Sequence, residues 1–237
     1  MDRYRIRPTL PGRIRGKSLA ARPASRSVTT MKWFAALFFL MLPAVLPAES
    51  EDGPGLVTAA RTQVGKTVRY DPAYVPLKYP GGDVPADRGV CTDVLIRAMR
   101  SAWKMDLQQI VHEDMARNFS AYPKLWGLRR TDRSIDHRRV PNLATCFRRR
   151  GWNLPVTKSP GDYRPGDIVT CTVPPNLPHV MIVSDRSSPD GHPLVLHNIG
   201  AGTREEDCLF RFPLTGHYRR PESSGGKPAA VAPRPAP

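Results

Sequence analysis

The chain is 237 residues long, 40% of them hydrophobic, and carries 36 Lys+Arg against 21 Asp+Glu, a formal net charge of +15. That length suits one domain with flanking segments. Nine of the bases and one acid fall in residues 1–48, which leaves 27 against 20, a net of +7; with no basic stripe interleaved with aromatics and no nucleic-acid motif, this argues against a nucleic-acid binder.

Residues 1–30 hold eight bases and one acid, Asp2, without apolar periodicity. Two readings are open: a cytosolic tail on an uncleaved anchor, or a chain whose translation starts at Met31. The second is preferred, because Met31–Ser50 (MKWFAALFFLMLPAVLPAES) is complete as a secretory signal peptide. It has a positive start, an apolar run from Trp33 to Leu46 and a small residue, Ala48, before the expected cut. The apolar run is shorter than the roughly 20 residues of a membrane span, so no stable span is expected after cleavage. The protein is expected to be exported, periplasmic or secreted, and its remaining positive charge suits an encounter with anionic envelope polymers. Residues 52–220 form the expected folded domain. Residues 221–237, rich in Pro and Ala, read as a disordered tail.

Within the domain, Gly55–Lys66 reads as a first helix, and Tyr70–Val90, rich in Pro, Gly and Asp, as a long loop of the kind that carries function. Cys91–Trp103 is the clearest helix, with Val94, Leu95, Ala98, Met99 and Ala102 on one stripe. Further helices are predicted over Leu107–Asn118 and Asn142–Arg150, the latter with Asn142 as N-cap and Gly151 as its stop. The second half turns to strands. After the Arg164–Asp167 turn (RPGD) come Ile168–Val173, His179–Asp185, Pro193–Ile199 and a short last strand over Cys208–Phe212. Helices followed by a meander give an α+β fold with an antiparallel sheet.

Cys91 stands at the head of its helix, after a loop containing Gly89. Unpaired amides and the positive end of the helix dipole favour a thiolate there. His179 opens a strand after a Pro-rich loop, and a hairpin centred near residues 188–189 sets it opposite residues 197–200, where His197 and Asn198 lie. A nucleophile, a base and an orienting polar group make a triad. His197 is the preferred third member and Asn198 the alternative, because a one-residue slip reverses the face.

The pieces GVCTDVLIRA, RPGDIVTC, HVMIVSD and VLHNIG resemble those of the NlpC/p60 cell-wall peptidases. GDVPADRGVCTDVLIRAMR, DLQQIVHEDM, YPKLWGL, IDHRRVPNL and GHYR extend a closer resemblance, over residues 56–220, to the exported bacterial family called domain of unknown function 1287. The resemblance implies a papain-like NlpC/p60 fold with the N-terminal helices packed on the sheet. It also implies a cysteine peptidase or amidase that works through a thioacyl intermediate on amide bonds of peptidoglycan stem peptides. The Cys91 amide would help to hold the oxyanion. The rival reading is a non-catalytic envelope-binding module on a degenerate hydrolase fold.

Asp83, Asp87 and Arg88, just before Cys91, are candidates for the substrate groove, with loop support as the other reading for Asp87. Arg138 and Arg139 are candidates for gripping a carboxylate or phosphate with their fixed donor forks. His112-Glu113-Asp114 lacks the second histidine of a zinc-protease helix, so it is read, with Asp136-His137, as a buried hydrogen-bond network. No cofactor and no metal is expected. His217-Tyr218-Arg219 either docks the chain end or faces the cleft. With Cys91 free, at most one disulfide can form, and Cys171–Cys208 is expected because both fall in predicted strands, with Cys146 a buried thiol.

Overall fold

A computed structural model describes residues 52–221; the basic extension 1–30, the signal-peptide segment 31–48 and the tail from residue 222 onward lie outside the described residues. Four helices precede most of the sheet: α1 (Asp52–Arg61), α2 (Cys91–Trp103), α3 (Leu107–Arg117) and α4 (Val140–Arg149). Strands β1 (Arg69–Tyr70) and β2 (Arg88–Gly89) pair in parallel within the loop between α1 and α2. The main sheet comprises β3 (Asn153–Leu154), β4 (Ile168–Val173), β5 (Leu177–Ser187), β6 (Pro193–Asn198), β7 (Thr203–Glu206) and β8 (Leu214–Tyr218). Its order is β3-β8-β4-β5-β6-β7 and every pairing is antiparallel. The α+β class with an antiparallel sheet is therefore the observed architecture.

Strand alternation builds two cores. Val180, Ile182 and Leu196 face the helices and meet Leu56, Leu95, Met99, Leu143 and Phe147. Val169, Met181, Val183 and Val195 face the other way and are covered by Tyr163, Cys208 and Leu209. The apolar stripe of α2 is buried as its spacing predicts, and Lys104, in the left-handed region at φ 54°, closes the helix.

Several boundaries differ from expectation; β5 runs two residues further at each end than the expected His179–Asp185. Helix α1 ends at Arg61, and residues 62–66 continue as turns around Gly65 at φ +75°. Helix α4 begins before Asn142, because Pro141 lacks an N–H and has its φ already set for a first turn. Asn142 is instead buried inside the helix, donating to the Asp136 carbonyl at 3.0 Å. The expected strand Cys208–Phe212 is a turn, closed by the Arg211 N–H on the Cys208 carbonyl at 3.1 Å, between the strands β7 and β8. Cys208 and Leu209 are apolar there because they plug the second core; a short apolar run records burial, not backbone shape.

Candidate functional site

Cys91 is the first residue of α2, delivered by β2. Gly89 is required at this bend. A Cβ built on it would lie 2.9 Å from the Asp93 carboxylate, and its φ of +156° disfavours other residues. The cap at Val90 has no polar side chain, so Asp93 takes the Val90 N–H at 2.7 Å. The same carboxylate receives two hydrogen bonds from the Arg138 guanidinium at 2.9 Å, and that guanidinium also donates to the carbonyls of Ala73 at 3.0 Å and Asp71 at 3.3 Å. The side chains of Arg138 and Asp93 are 2% and 3% exposed. A buried ion pair thus brackets the loop 71–73, the helix head and the turn at residue 138. Thr92 adds a hydrogen bond to the Arg138 carbonyl at 3.2 Å.

His179 and His197 are joined directly, Nε2 to Nδ1, at 2.8 Å. The register Ile182↔Leu196 and Val183↔Val195 places position 197 diagonal to 179 on the same face, within reach of long side chains. His197 Nε2 continues to Glu206 Oε2 at 3.4 Å and to Cys208 Sγ at 3.5 Å. Asn198, one residue on, faces the opposite side of the sheet. Its side-chain amide donates to the Gly89 carbonyl at 3.0 Å and to the Arg69 carbonyl at 3.3 Å. The two candidates for a third member therefore do different jobs, His197 beside the imidazole and Asn198 beside the backbone that carries Cys91.

The thiol meets the strand at its backbone. The backbone amides of Val180, Thr92 and Cys91 itself favour negative charge on the Cys91 sulfur. Thiol and imidazole thus flank a single peptide unit, the one joining His179 to Val180. Among the described residues no hydrogen bond joins Cys91 to His179, whose Nδ1 is unengaged. Burial pushes the Cys91 thiol up to about 11, and Asp93 adds to this against the three amides. Burial and the neighbouring His197 push His179 down to about 3. Burial also lowers His197, opposed by Glu206. Both partners are therefore neutral at rest. The helix terminus does lower the thiol as expected, but desolvation outweighs it.

Cys91 lines a cleft of about 200 Å³ with Tyr70, Val90, Trp126, Arg139 and Pro178. Burial, and next the charge of a Cys91 thiolate, push Tyr70 up to about 12, which keeps its phenol protonated. A second hollow of about 230 Å³ adjoins across Val140, Pro141 and Pro178 and reaches Thr170 and Thr215. A further hollow, about 900 Å³, opens elsewhere, between residues 156–158 and 210–214, and no cysteine lines it. Arg139 stacks over Trp126 at 4.1 Å in the cleft wall and reaches Asp136 at 3.5 Å. Arg138 also touches the cleft, with its guanidinium held by Asp93 and two carbonyls. Asp83, Asp87 and Arg88 stand outside. Asp87 pairs with Arg69 and Arg88, its carbonyl accepts the Val68 N–H at 2.9 Å, and Asp83 pairs with Arg97 at 2.8 Å, so this acidic group supports the loop.

Sequence reasoning missed Asp93, although a carboxylate at the third position of a helix is half of a capping box. It also missed Glu206, although Gly200 and Gly202 mark the turn that sets β6 against β7. Tyr70 and Trp126 carry no signal of their own.

His217 and Arg219 dock the chain end. His217 Nε2 lies 2.7 Å from Asp167, and Arg219 grips the same carboxylate with two hydrogen bonds of 2.6 Å. Burial raises the Asp167 pKa, but the hydrogen bonds from His217, Arg219 and the Arg164 N–H together outweigh it and leave the carboxyl below its ordinary value. Asp136 accepts the Asp132 N–H at 2.5 Å and binds Arg139, in keeping with a network that holds the helices, whereas Nδ1 of both His112 and His137 is buried without a partner. The expected Cys171–Cys208 disulfide is absent: all four cysteines are free and buried. Cys208 sits in a turn, not a strand, and its sulfur contacts His197.

Fold and site together define a mixed helix-and-sheet protein in which a helix-head thiol and a strand-borne pair of histidines stand around one peptide unit of β5. The chain belongs to the family described as domain of unknown function (DUF1287), whose model matches residues 57–220. It is similar to the uncharacterized protein YijF of Escherichia coli (strain K12), 54% identical over 177 residues, covering 75% of this chain and 86% of that protein. Among solved structures it is similar to NlpC1 from Trichomonas vaginalis, with 14% identity and a TM-score of 0.38, covering 73% of this chain and 46% of that one.

Proposed function

We propose that the protein is a cysteine hydrolase with a papain-like arrangement, in which Cys91 attacks an amide carbonyl and His179 is the general base. The observation that carries this reading is the chain of contacts Glu206–His197–His179 ending at the peptide that flanks the Cys91 thiol. If Glu206 accepts from His197 Nε2–H, then His197 Nδ1 accepts from His179 Nε2–H. That tautomer leaves the His179 Nδ1 lone pair for the thiol proton. Sγ then bonds to the carbonyl carbon, and the proton on His179 passes to the leaving amine as the C–N bond breaks. Water, deprotonated by His179, finally splits the thioester and restores the thiol. Arg139 and Trp126 in the cleft wall suit a substrate that carries a carboxylate beside an extended chain.

The expected export and the resemblance to NlpC/p60 cell-wall peptidases make peptidoglycan stem peptides the proposed substrate. The test is mass spectrometry of peptidoglycan digests incubated with the full chain. Cleavage that falls by about 10²–10⁴ in His179→Ala and vanishes in Cys91→Ala supports the reading. Products unchanged in Cys91→Ala would overturn it. A specific observation favours the rival binding module: a thiol pushed up to about 11 is protonated at neutral pH. That reading predicts that Cys91→Ala still binds sacculi and that no thioacyl adduct forms.

A further inference from the structure

We infer that His197, Glu206 and Cys208 form a site for a zinc-class divalent cation, and that its occupancy switches off His179. The inference about His179 rests on the hydrolase reading; the cation site does not. One donor atom from each of His197, Glu206 and Cys208 lies within 4.8 Å of the other two. His197 Nε2 is 3.5 Å from the sulfur and 3.4 Å from the carboxylate oxygen. Zinc bonds of about 2.3 Å to sulfur, 2.05 Å to nitrogen and 2.1 Å to oxygen at tetrahedral angles give edges of about 3.6 Å for sulfur–nitrogen and about 3.4 Å for nitrogen–oxygen. Both separations match these edges, and the 3.4 Å to the carboxylate is longer than the usual bond from an imidazole N–H to a carboxylate. Thiolate, imidazole and carboxylate together are a donor set for zinc and not for magnesium or calcium.

The surroundings fit an ion. His197 and Cys208 are 1% and 3% exposed, so two ligands are held rigidly in the second core. Glu206 is 36% exposed and opens the site to solvent, and its other oxygen is the one paired with Arg204, at 3.5 Å. His179 is then the outer partner of a metal-bound imidazole, bonded to its Nδ1 at 2.8 Å.

Binding releases the Cys208 thiol proton to solvent. It also requires the Nε2 lone pair of His197, so neutral His197 must carry its proton on Nδ1. That proton is donated to His179 Nε2. Neutral His179 then holds its own proton on Nδ1 and has no lone pair for Cys91. The metal-free polarity of the histidine pair suits base catalysis, and the metal-bound polarity is its reverse.

The test uses the full chain, stripped with a chelator and titrated with Co²⁺. We expect one Co²⁺ per chain with a sulfur-to-metal charge-transfer band, displaced by one equivalent of Zn²⁺. The band should persist in Cys91→Ser, disappear in Cys208→Ser and need at least tenfold more Co²⁺ in Glu206→Gln. A Zn²⁺-induced rise in the melting temperature of the unsubstituted chain is the readout that needs no variant to fold. Nitrogen-15 histidine spectra should show the His179 proton moving from Nε2 to Nδ1 on Zn²⁺ addition. Absence of the band and of the stabilisation, or a band that survives in Cys208→Ser, overturns the site. A bound ion that leaves the His179 tautomer unchanged overturns the switch. Peptidoglycan cleavage by the metal-free chain judges the hydrolase reading separately, and in Cys208→Ser that cleavage should resist Zn²⁺.

Discussion

Asp93→Ala tests the bracket that presents the nucleophile. The substitution removes the carboxylate that accepts two hydrogen bonds from Arg138 and one from the Val90 N–H. Arg138 would remain, with a side chain 2% exposed, keeping only the carbonyls of Ala73 and Asp71 as partners. Removing one partner of a buried pair costs about 3–5 kcal/mol, because the other charge is left uncompensated. With a urea dependence of about 2 kcal/mol per molar, the unfolding midpoint should fall by roughly 1.5–2.5 M. The pair Asp93→Leu with Arg138→Met removes both charges and should recover much of this loss, since an apolar replacement of a buried pair is often neutral. Equilibrium urea unfolding followed by circular dichroism measures both. A fall of less than about 0.5 M for Asp93→Ala would refute the reasoning, as it would mean that Arg138 readily finds water.

Four further outcomes are expected. With the thiol at about 11, iodoacetamide should modify Cys91 in the folded chain at pH 7.5 through about 300-fold fewer thiolates than an ordinary thiol of about 8.5 offers; a midpoint below 8.5, read by peptide mass spectrometry, would contradict this. His197→Gln should lower hydrolysis by roughly 10² or more with little change in melting temperature, and an equal loss of both would reduce His197 to a packing residue. Gly89→Ala should destabilise by about 1–3 kcal/mol, the usual cost of strained backbone, with a calorimetric change under 0.5 kcal/mol refuting the bend. Acid should act in two windows. His137 at about 4 and His179 at about 3, both held down chiefly by burial, contribute stability that is full above about pH 6.5 and is lost as pH falls toward those values. Asp167, held below its ordinary value, contributes stability that is lost only below about pH 4, so Asp167→Asn should flatten the acid limb of a melting-temperature profile, and a parallel limb would exclude it.

The sequence made α2 legible to the residue, because its stripe and its position after Gly89 agree, and β4 likewise, because a turn signal precedes a β-rich run broken only by Cys171. The histidine pair was legible through hairpin arithmetic alone. That arithmetic left a one-residue ambiguity, and a bulge between Val183 and Ser187 shows why the turn could not remove it. Strands β7 and β8 were missed for opposite reasons. Thr203–Glu206 is polar because β7 is a sheet edge, and Leu214–Tyr218 contains Gly216 and lacks alternation because both of its faces are covered, Tyr218 by Phe147 and His217 by Tyr163. The roles of Arg138 and of Cys208 depended on partners 45 and 11 residues away, which no local pattern carries. Burial of the thiol was illegible for the same reason, since desolvation is a property of everything that packs around a residue.

The ambiguity between His197 and Asn198 resolves into a reason for having both. Neighbouring residues on a strand point to opposite faces, so a single peptide of β6 holds the base on one side through His197 Nδ1 and the loop of the nucleophile on the other through the Asn198 amide. The register of β6 on β5 thus helps to place Cys91 relative to His179, alongside the Asp93–Arg138 pair that ties the helix head to the long loop before α2. A slip of one residue would exchange the two side chains, leaving an amide beside the imidazole and a histidine facing the Gly89 carbonyl, and both halves of the site would fail together. Asn198→Ala should therefore leave the His179–His197 pair intact and loosen only the Gly89 bend, whereas deletion of one residue from the 188–192 turn should disable both.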